Sequence, residues 1–398
     1  MPSPIRRALY LMAIVGLIAF AVSMPANACP FCDEKGTTLV GQFEEARFVL
    51  LGTFKNARLA SSGLDRGESD FEIEQVLKSD DFLKGKKMLT VPKHIPDSKT
   101  KFIIFCDLYQ GKVDPYKGMP IVNDGEMVRY LEGVMKIKEK SQPERLRHAF
   151  DFLNSPETEV ALDAYREFAK ADYADYKDIA KKLPADRIAS WLQDPKTPPF
   201  RYGLYASLLG HCGGKQDAKL LLNMIEDPEK RKGSGLHGLL AAYTMLEPEK
   251  GWTMLKDMVH TKEKKFLVRY AGLLTIRFLW EYRTDLIHKD ETVARNELVK
   301  GIAGVLQVSD MADFAIEDLR KWQRWEYSDQ ILGMFGQKGL NTPSIRKSIL
   351  RYALQCPSKP AVEFVKTQRA RDMEWVDETR ELLELEPRPA ATTPTSKK

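Results

Sequence analysis

Cys29-Pro30-Phe31-Cys32 is the run of this chain whose residue types and spacing could do chemistry. Two thiols separated by two residues can close into a disulfide and reopen. A helix N-terminus that follows a strand turns such a pair into a redox catalyst by lowering one thiol pKa. No strand precedes this pair, because a strand reading starts only downstream of it. The structural alternative joins Cys32, or Cys29, to Cys106 and staples the N-terminus to the strand around 102–105. A loop of about 75 residues closed in this way would stabilise by roughly 3–5 kcal/mol. Both pairings stay open, and five cysteines leave at least one thiol without an intramolecular partner.

The other reactive side chains are scattered. Cys212 follows His211 and precedes Gly213-Gly214, which reads as a helix end with the cysteine packed as a small apolar residue. Cys356-Pro357 ends another helix, and His94, His148, His237, His260 and His288 have no ligand spacing. Neither H-E-x-x-H nor a G-x-x-x-x-G-K-[ST] loop occurs, so the sequence predicts no resident metal and no cofactor. Trp322, Arg324 and Trp325 form a compact aromatic–basic group. With the two indoles at i and i+3 on one helix face, they either pack between helices or offer a stacking surface to a glycan or a partner peptide. Asp310, Asp313, Glu317 and Asp318 beside Arg320, Lys321 and Arg324 read as a solvated helix face with i,i+3 and i,i+4 pairing.

The elements that must hold these residues fall into two regimes. The segments 46–54, 71–77, 88–91 and 101–106 are β-prone and separated by turn residues, which suits a set of about five short strands. In the second of them the period-two alternation breaks at Val76-Leu77, which predicts a β-bulge. From about Gln142 to Leu385 the apolar period becomes 3.6. Short helices are expected over 144–153, 157–170, 173–183, 185–193, 200–211, 217–225, 236–246, 251–259, 266–282, 294–308, 311–322, 328–335, 344–355 and 361–367. Most follow Ser-Pro, Asp-Pro, Glu-Pro or Thr-Pro, where the polar residue can cap and Pro fits the first turn.

Ahead of all this, Arg6-Arg7, the apolar stretch 8–22 and Ala26-Asn27-Ala28 are the three parts of a secretory signal peptide. The chain is therefore expected to be exported, with a periplasmic, extracellular or cell-surface location and Cys29 at the mature N-terminus. Ala26 stands where lipoprotein sites carry Leu, and a lipid anchor on Cys29 is the alternative to a free end. No later stretch has the roughly 20 apolar residues of a transmembrane span. With 61 basic and 56 acidic residues the charge is nearly balanced, which argues against nucleic acid as a partner. A mean hydropathy of −0.37 suits a globular chain with a large polar surface.

Two resemblances sharpen this outline. Cys29, the helix-like entry 37–47, Val49-Leu50-Leu51-Gly52-Thr53, Glu72–Lys78 and Lys101–Phe105 resemble the netrin-module (NTR) family. That resemblance implies an OB-like barrel. Through the tissue inhibitors of metalloproteinases in the same family, it also implies a terminal amine and carbonyl that chelate a target's zinc. Those inhibitors begin Cys-x-Cys, whereas this chain has Cys-x-x-Cys. Further along, helix starts near residues 155, 194, 227, 264, 309 and 342 recur 33–45 residues apart. Phe200-Arg201-Tyr202, Val268-Arg269-Tyr270 and Ile345-Arg346-Lys347 open similar apolar-Arg helices. This pattern resembles HEAT repeats, whose helix pairs must stack to bury their apolar faces. The start of the chain also resembles exported bacterial proteins whose mature sequence begins Cys-Pro-Phe-Cys.

The expected fold class is thus α+β and multidomain, a small OB/NTR-like β-barrel followed by an all-α HEAT-like solenoid. The expected domains are a signal peptide at 1–28, the barrel at 29–125, a linker helix at 126–141, the helical repeats at 142–386 and a Pro/Thr/Ser/Ala-rich disordered tail at 387–398. The function expected is non-enzymatic binding or scaffolding of an unidentified protein partner. The alternatives are a thiol–disulfide partner acting through Cys29 and Cys32, and a metalloprotease inhibitor acting through Cys29.

Overall fold

The computed structural model describes residues 29–32, 36–59, 67–97, 99–121, 125–230 and 235–386. The expected signal peptide and C-terminal tail lie outside the described residues. The chain divides into two compact units, Met1–Ile179 and Ala180–Lys398.

The first unit is built on β1 (Phe48–Arg58), β2 (Glu68–Lys78), β3 (Met88–Val91), β4 (Lys101–Tyr109) and β5 (Lys112–Pro120). They form one antiparallel sheet in the order β3-β2-β1-β4-β5. The sheet is not closed: its edge strands β3 and β5 carry no ladder between them, so the expected barrel is an open sheet. With four residues, β3 is too short to span the long β5 edge. Central β1 is buried on both faces from Phe48 to Phe54, because each face meets a different core. On one face Phe48, Leu50 and Phe54 join Phe71, Leu89, Val91, Ile104 and Cys106 in a core supplied largely by strands. On the other, Val49 and Leu51 meet α1 (Leu39–Glu45), α2 (Glu126–Ile137) and Val160. α2 is accordingly part of the sheet's core, through Met127, Tyr130, Leu131 and Val134, rather than a linker.

The bulge expected in β2 is present. Val49 pairs with Lys78 and Leu50 with Val76, which leaves Leu77 as the extra residue. A second shift follows between Leu51 and Gly52, where a Cβ on Gly52 would lie 2.0 Å from the Glu72 carbonyl oxygen. Strand β5 has no counterpart in the sequence reading. Its Pro115 and Pro120 remove donors, which an edge strand tolerates and a central one does not.

α3 (Gln142–Phe152), α4 (Thr158–Lys170) and α5 (Tyr173–Ala180) complete the first stretch of helices. The second unit follows as α6 (Ala185–Gln193), α7 (Tyr202–Cys212), α8 (Lys215–Glu226), α9 (Leu236–Leu246), α10 (Pro248–His260), α11 (Phe266–Tyr282) and α12 (Glu291–Ala303). It ends with α13 (Ala312–Lys321), α14 (Ser328–Gly333), α15 (Pro343–Gln355), α16 (Lys359–Arg371) and α17 (Met373–Glu384). Alternate helices pack on one another: α7 on α9 and α9 on α11, then α13 on α15 and α15 on α17. The helices between them, such as α8, α10 and α16, pack against the members of these rows.

α7 and α9 are apolar nearly all round, and every residue from Tyr202 to Gly210 and from Leu236 to Thr244 is buried. They can lie this close because Gly203 faces Gly238, where an added Cβ would be 2.5 Å from the Gly203 Cα. The six tryptophans, from Trp191 to Trp375, all belong to this unit, so indole fluorescence reports on it. Gly238→Ala should therefore lower stability by about 1–3 kcal/mol through overpacking. Gly333→Ala, in α14 with nothing within 4 Å of its Cβ, should be neutral or gain up to about 1 kcal/mol. Urea unfolding followed by tryptophan fluorescence checks both, and equal effects of the two substitutions would refute the close-contact account.

Candidate functional site

Cys29 and Cys32 are joined to each other, with Cα atoms 5.7 Å apart, across the turn in which Cys32 N–H donates to Cys29 O at 3.5 Å. Both are buried, as is Phe31 between them. Cys106 is a free thiol. The staple to Cys106 is therefore corrected: the Cys106 side chain points into the strand-lined core with Phe48 and Phe71, a cluster that does not include Cys29 or Cys32. Burial, with a smaller contribution from Asp114, pushes the Cys106 thiol up to about 12. A four-residue loop closed by a disulfide stabilises by only about 2 kcal/mol, well below what the long staple would give. Cys212 donates its thiol to Leu208 O at 3.4 Å, and burial pushes it up to about 11. Cys356 is buried against Ser358 Oγ at 3.3 Å. Neither Cys106 nor Cys212 sits in a thiolate-favouring setting.

A few residues downstream, α1 is held at both ends by charged side chains from distant segments. Asp163 of α4 accepts the Leu39 N–H, the Val40 N–H at 3.2 Å and the Tyr130 hydroxyl at 3.0 Å. Thr38 Oγ1 accepts the Gly41 N–H at 3.0 Å and a bond from Lys170 Nζ at 2.9 Å. At the other end Lys78 Nζ donates to Phe43 O at 3.1 Å, Glu44 O at 2.7 Å and Ala46 O. An anion at the N-terminus and a cation at the C-terminus match the helix dipole. Seven residues are too few for a helix to stand alone in water, so these ligands and the apolar face set by Leu39, Val40 and Phe43 hold it. A cavity of about 180 Å³ beside Lys78, lined by Phe43, Glu44, Val134, Met135, Lys138 and Glu139, is small for an organic ligand.

Trp322 and Trp325 do not share a helix face. α13 stops at Lys321, and Gln323 takes a left-handed φ of 55°. Arg324 N–H then bonds Leu319 O at 2.9 Å and Gln323 N–H bonds Arg320 O at 3.0 Å, the pair of bonds that ends a helix in a Schellman motif. Trp322 stacks on Trp280 with centroids 4.1 Å apart, and Arg295 lies over the Trp280 ring at 4.5 Å. Trp325 instead meets Tyr352 edge-on at 5.1 Å. Arg324 is engaged by Asn296 at 2.7 Å and Glu326 at 2.8 Å. This group is packing between helices, with both indoles half-buried.

The acidic stretch is only partly a solvated face: Glu317 pairs with Arg320 at i,i+3 as expected and Asp310 is half exposed, but Asp310 and Asp318 find their partners elsewhere. Arg269 holds Asp310 through both terminal nitrogens, and Arg277 Nε holds Asp318 at 2.8 and 2.9 Å. Asp318 is buried, so desolvation raises its pKa while Arg277 draws it down. The partners of these acids lie 41 residues away rather than three or four. Sequence reasoning had no signal for this, since the paired residues lie on separate elements 41 positions apart.

A polar groove of about 730 Å³ lies between α6 and α8 in the second unit. Asp186, Ser190 and Gln193 line one side and Gln216, Asp217 and Asn223 the other. Among the described residues no group of three or more His, Cys, Asp or Glu is placed to hold a metal, and no helix is long and apolar enough to cross a membrane. Comparison with protein families, with curated proteins and with solved structures finds no match.

Burial raises Asp163 to about 6, against the pull of the Leu39 N–H, and Glu167 adds to the rise. A carboxyl with a raised folded pKa contributes stability that is full below its unfolded value near 4 and lost as pH climbs through about 6. Asp163→Asn should remove this slope. Urea unfolding by circular dichroism at pH 4 and pH 7 should show the native chain losing up to about 3 kcal/mol more than the variant between them. Parallel pH profiles would sink the assignment.

Proposed function

We propose that this chain is an exported, non-enzymatic binding or scaffold protein, with an OB/NTR-like sheet unit followed by HEAT-like stacked helix pairs. The observation that carries the reading is the alternate-helix packing of α7, α9 and α11 and of α13, α15 and α17. Three bonds between successive segments support it with one shared offset: His260 to Gly301 O, Arg269 to Asp310 and Arg277 to Asp318 all span 41 residues. Stacked helix pairs of this kind present extended surfaces to protein partners and bring no chemistry of their own. For the first unit, the strand order and the approach of β3 to β5 without pairing suit an OB-like sheet left open. The Arg6-Arg7, apolar and Ala-Asn-Ala segments support export.

A photo-crosslinking residue placed at Gln193 or Asn223 in the α6/α8 groove tests this reading in intact cells. One discrete protein adduct, formed outside the cytoplasm and absent with the same residue at exposed Lys338, is the expected result. No adduct, or the same adduct from all three positions, would reject it.

The pairing of Cys29 with Cys32, with Cys106 left free, favours a second reading as a thiol–disulfide partner. That reading expects reversible reduction of the pair by millimolar glutathione in the folded chain, with Cys106 resistant to alkylation throughout. Mass-spectrometric thiol labelling reads this directly, and a pair that opens only on unfolding is structural. The inhibitor reading needs the Cys29 amine and carbonyl presented to a metal, and here that carbonyl accepts the Cys32 N–H.

A further inference from the structure

Arg320 on α13 and Arg351 on α15 converge on one pair of carboxylates. Their side chains are 3% and 13% exposed. Arg320 donates Nε and Nη2 to Glu317 Oε2 at 2.9 and 2.7 Å and Nη1 to Gln355 Oε1 at 2.8 Å. Arg351 donates Nε to Glu317 Oε1 at 2.7 Å. The second carboxylate is Glu386, which takes Arg320 Nη2 on one oxygen at 2.9 Å and Arg351 Nη2 on the other.

The arrangement differs from the other ion pairs of this unit that hold a buried side chain. Arg269–Asp310 and Arg277–Asp318 each join one cation to one anion, from the turn before α13 and from α13 itself. Here two guanidiniums face one carboxylate from α13, and charge balance is completed by a residue that follows α17. Glu386 is one-third exposed, and its neighbour Leu385 is 79% exposed. With Glu386 withdrawn, Glu317 would leave a net positive charge on two largely desolvated guanidiniums, a costly state. Their planar forks match a carboxylate better than a spherical anion.

We propose that Arg320 and Arg351 form a carboxylate-binding site filled in cis by Glu386, and that a carboxylate side chain of an acidic partner segment takes the same place when Glu386 withdraws. The partner rests on the binding reading above, whereas the site is a property of the isolated chain.

Thermal unfolding of Glu386→Ala, read by tryptophan fluorescence, tests the site with sodium acetate against sodium chloride at equal ionic strength. Acetate restores the carboxylate that the substitution deletes. The midpoint should fall by about 4–10 °C. Acetate should return at least half of that loss, saturably, beyond its effect on the native chain, and adding Arg351→Leu should abolish the return. Equal acetate effects on native chain and variant would overturn the proposal. If Glu386→Ala does not fold, Glu386→Gln carries the comparison through dicarbonyl labelling of Arg351. Labelling several-fold faster than in the native chain and slowed by acetate is expected, and labelling at the native rate or indifferent to acetate would overturn it. Neither failure touches the groove adduct, so the two readings fail separately.

Discussion

Gly203 and Gly238 meet with no side chain between them, and the second unit is arranged around that contact. Two helices buried on every side gain stability only if their backbones approach closely, because side chains elsewhere on them already fill the space to native density. The same device recurs one turn or two away, where a Cβ on Gly210 would lie 2.9 Å from Ala242 Cα. With α7 and α9 locked, α8, α10 and α11 receive fixed surfaces to pack against. The register of α11 on α9 is then pinned by Thr275, whose hydroxyl reaches His237 O at 3.1 Å.

Charge plays the complementary part, since apolar packing is nondirectional and does not choose among sliding positions. In the first unit Asp163 and Lys78 choose the position of α1, one at each end of its dipole. In the second, Arg269 and Arg277 stand two helical turns apart and engage Asp310 and Asp318 with the same spacing. Each such pair gains little over an apolar replacement, but a one-residue slip would leave a desolvated charge without its partner. Specific alignment is what these pairs contribute.

Periodicity carried much of the fold into plain view. Helices α6, α9 and α11 have the boundaries that apolar spacing and caps indicate, and the broken alternation at Val76-Leu77 marked the bulge. Local chemistry that imitates another state was harder to read. β5 is hidden by Pro115, Gly118 and Pro120, and α17 by its acidic sequence. The site residues were legible as types and much less as arrangements. The Trp322–Trp325 spacing suggested a shared face until Gln323 turned the chain left-handed. Asp163 gave no hint of its role, because its partners Leu39 and Val40 precede it by more than 120 residues. Cys29 and Cys32 paired locally, where the sequence favoured a long-range bridge to Cys106.

The two-ended hold on α1 has a consequence for the order of events as the chain is made. Residues 39–45 leave the ribosome early, yet the carboxylate that satisfies the first amides of their helix comes 124 residues later. Until α4 exists, a seven-residue segment with half of its amides unbonded stays in the coil. The Cys29–Cys32 turn just ahead of it faces no such delay, since its bond spans three residues of sequence. Docking of α1 therefore waits for α4, although the residues of α1 are made long before it.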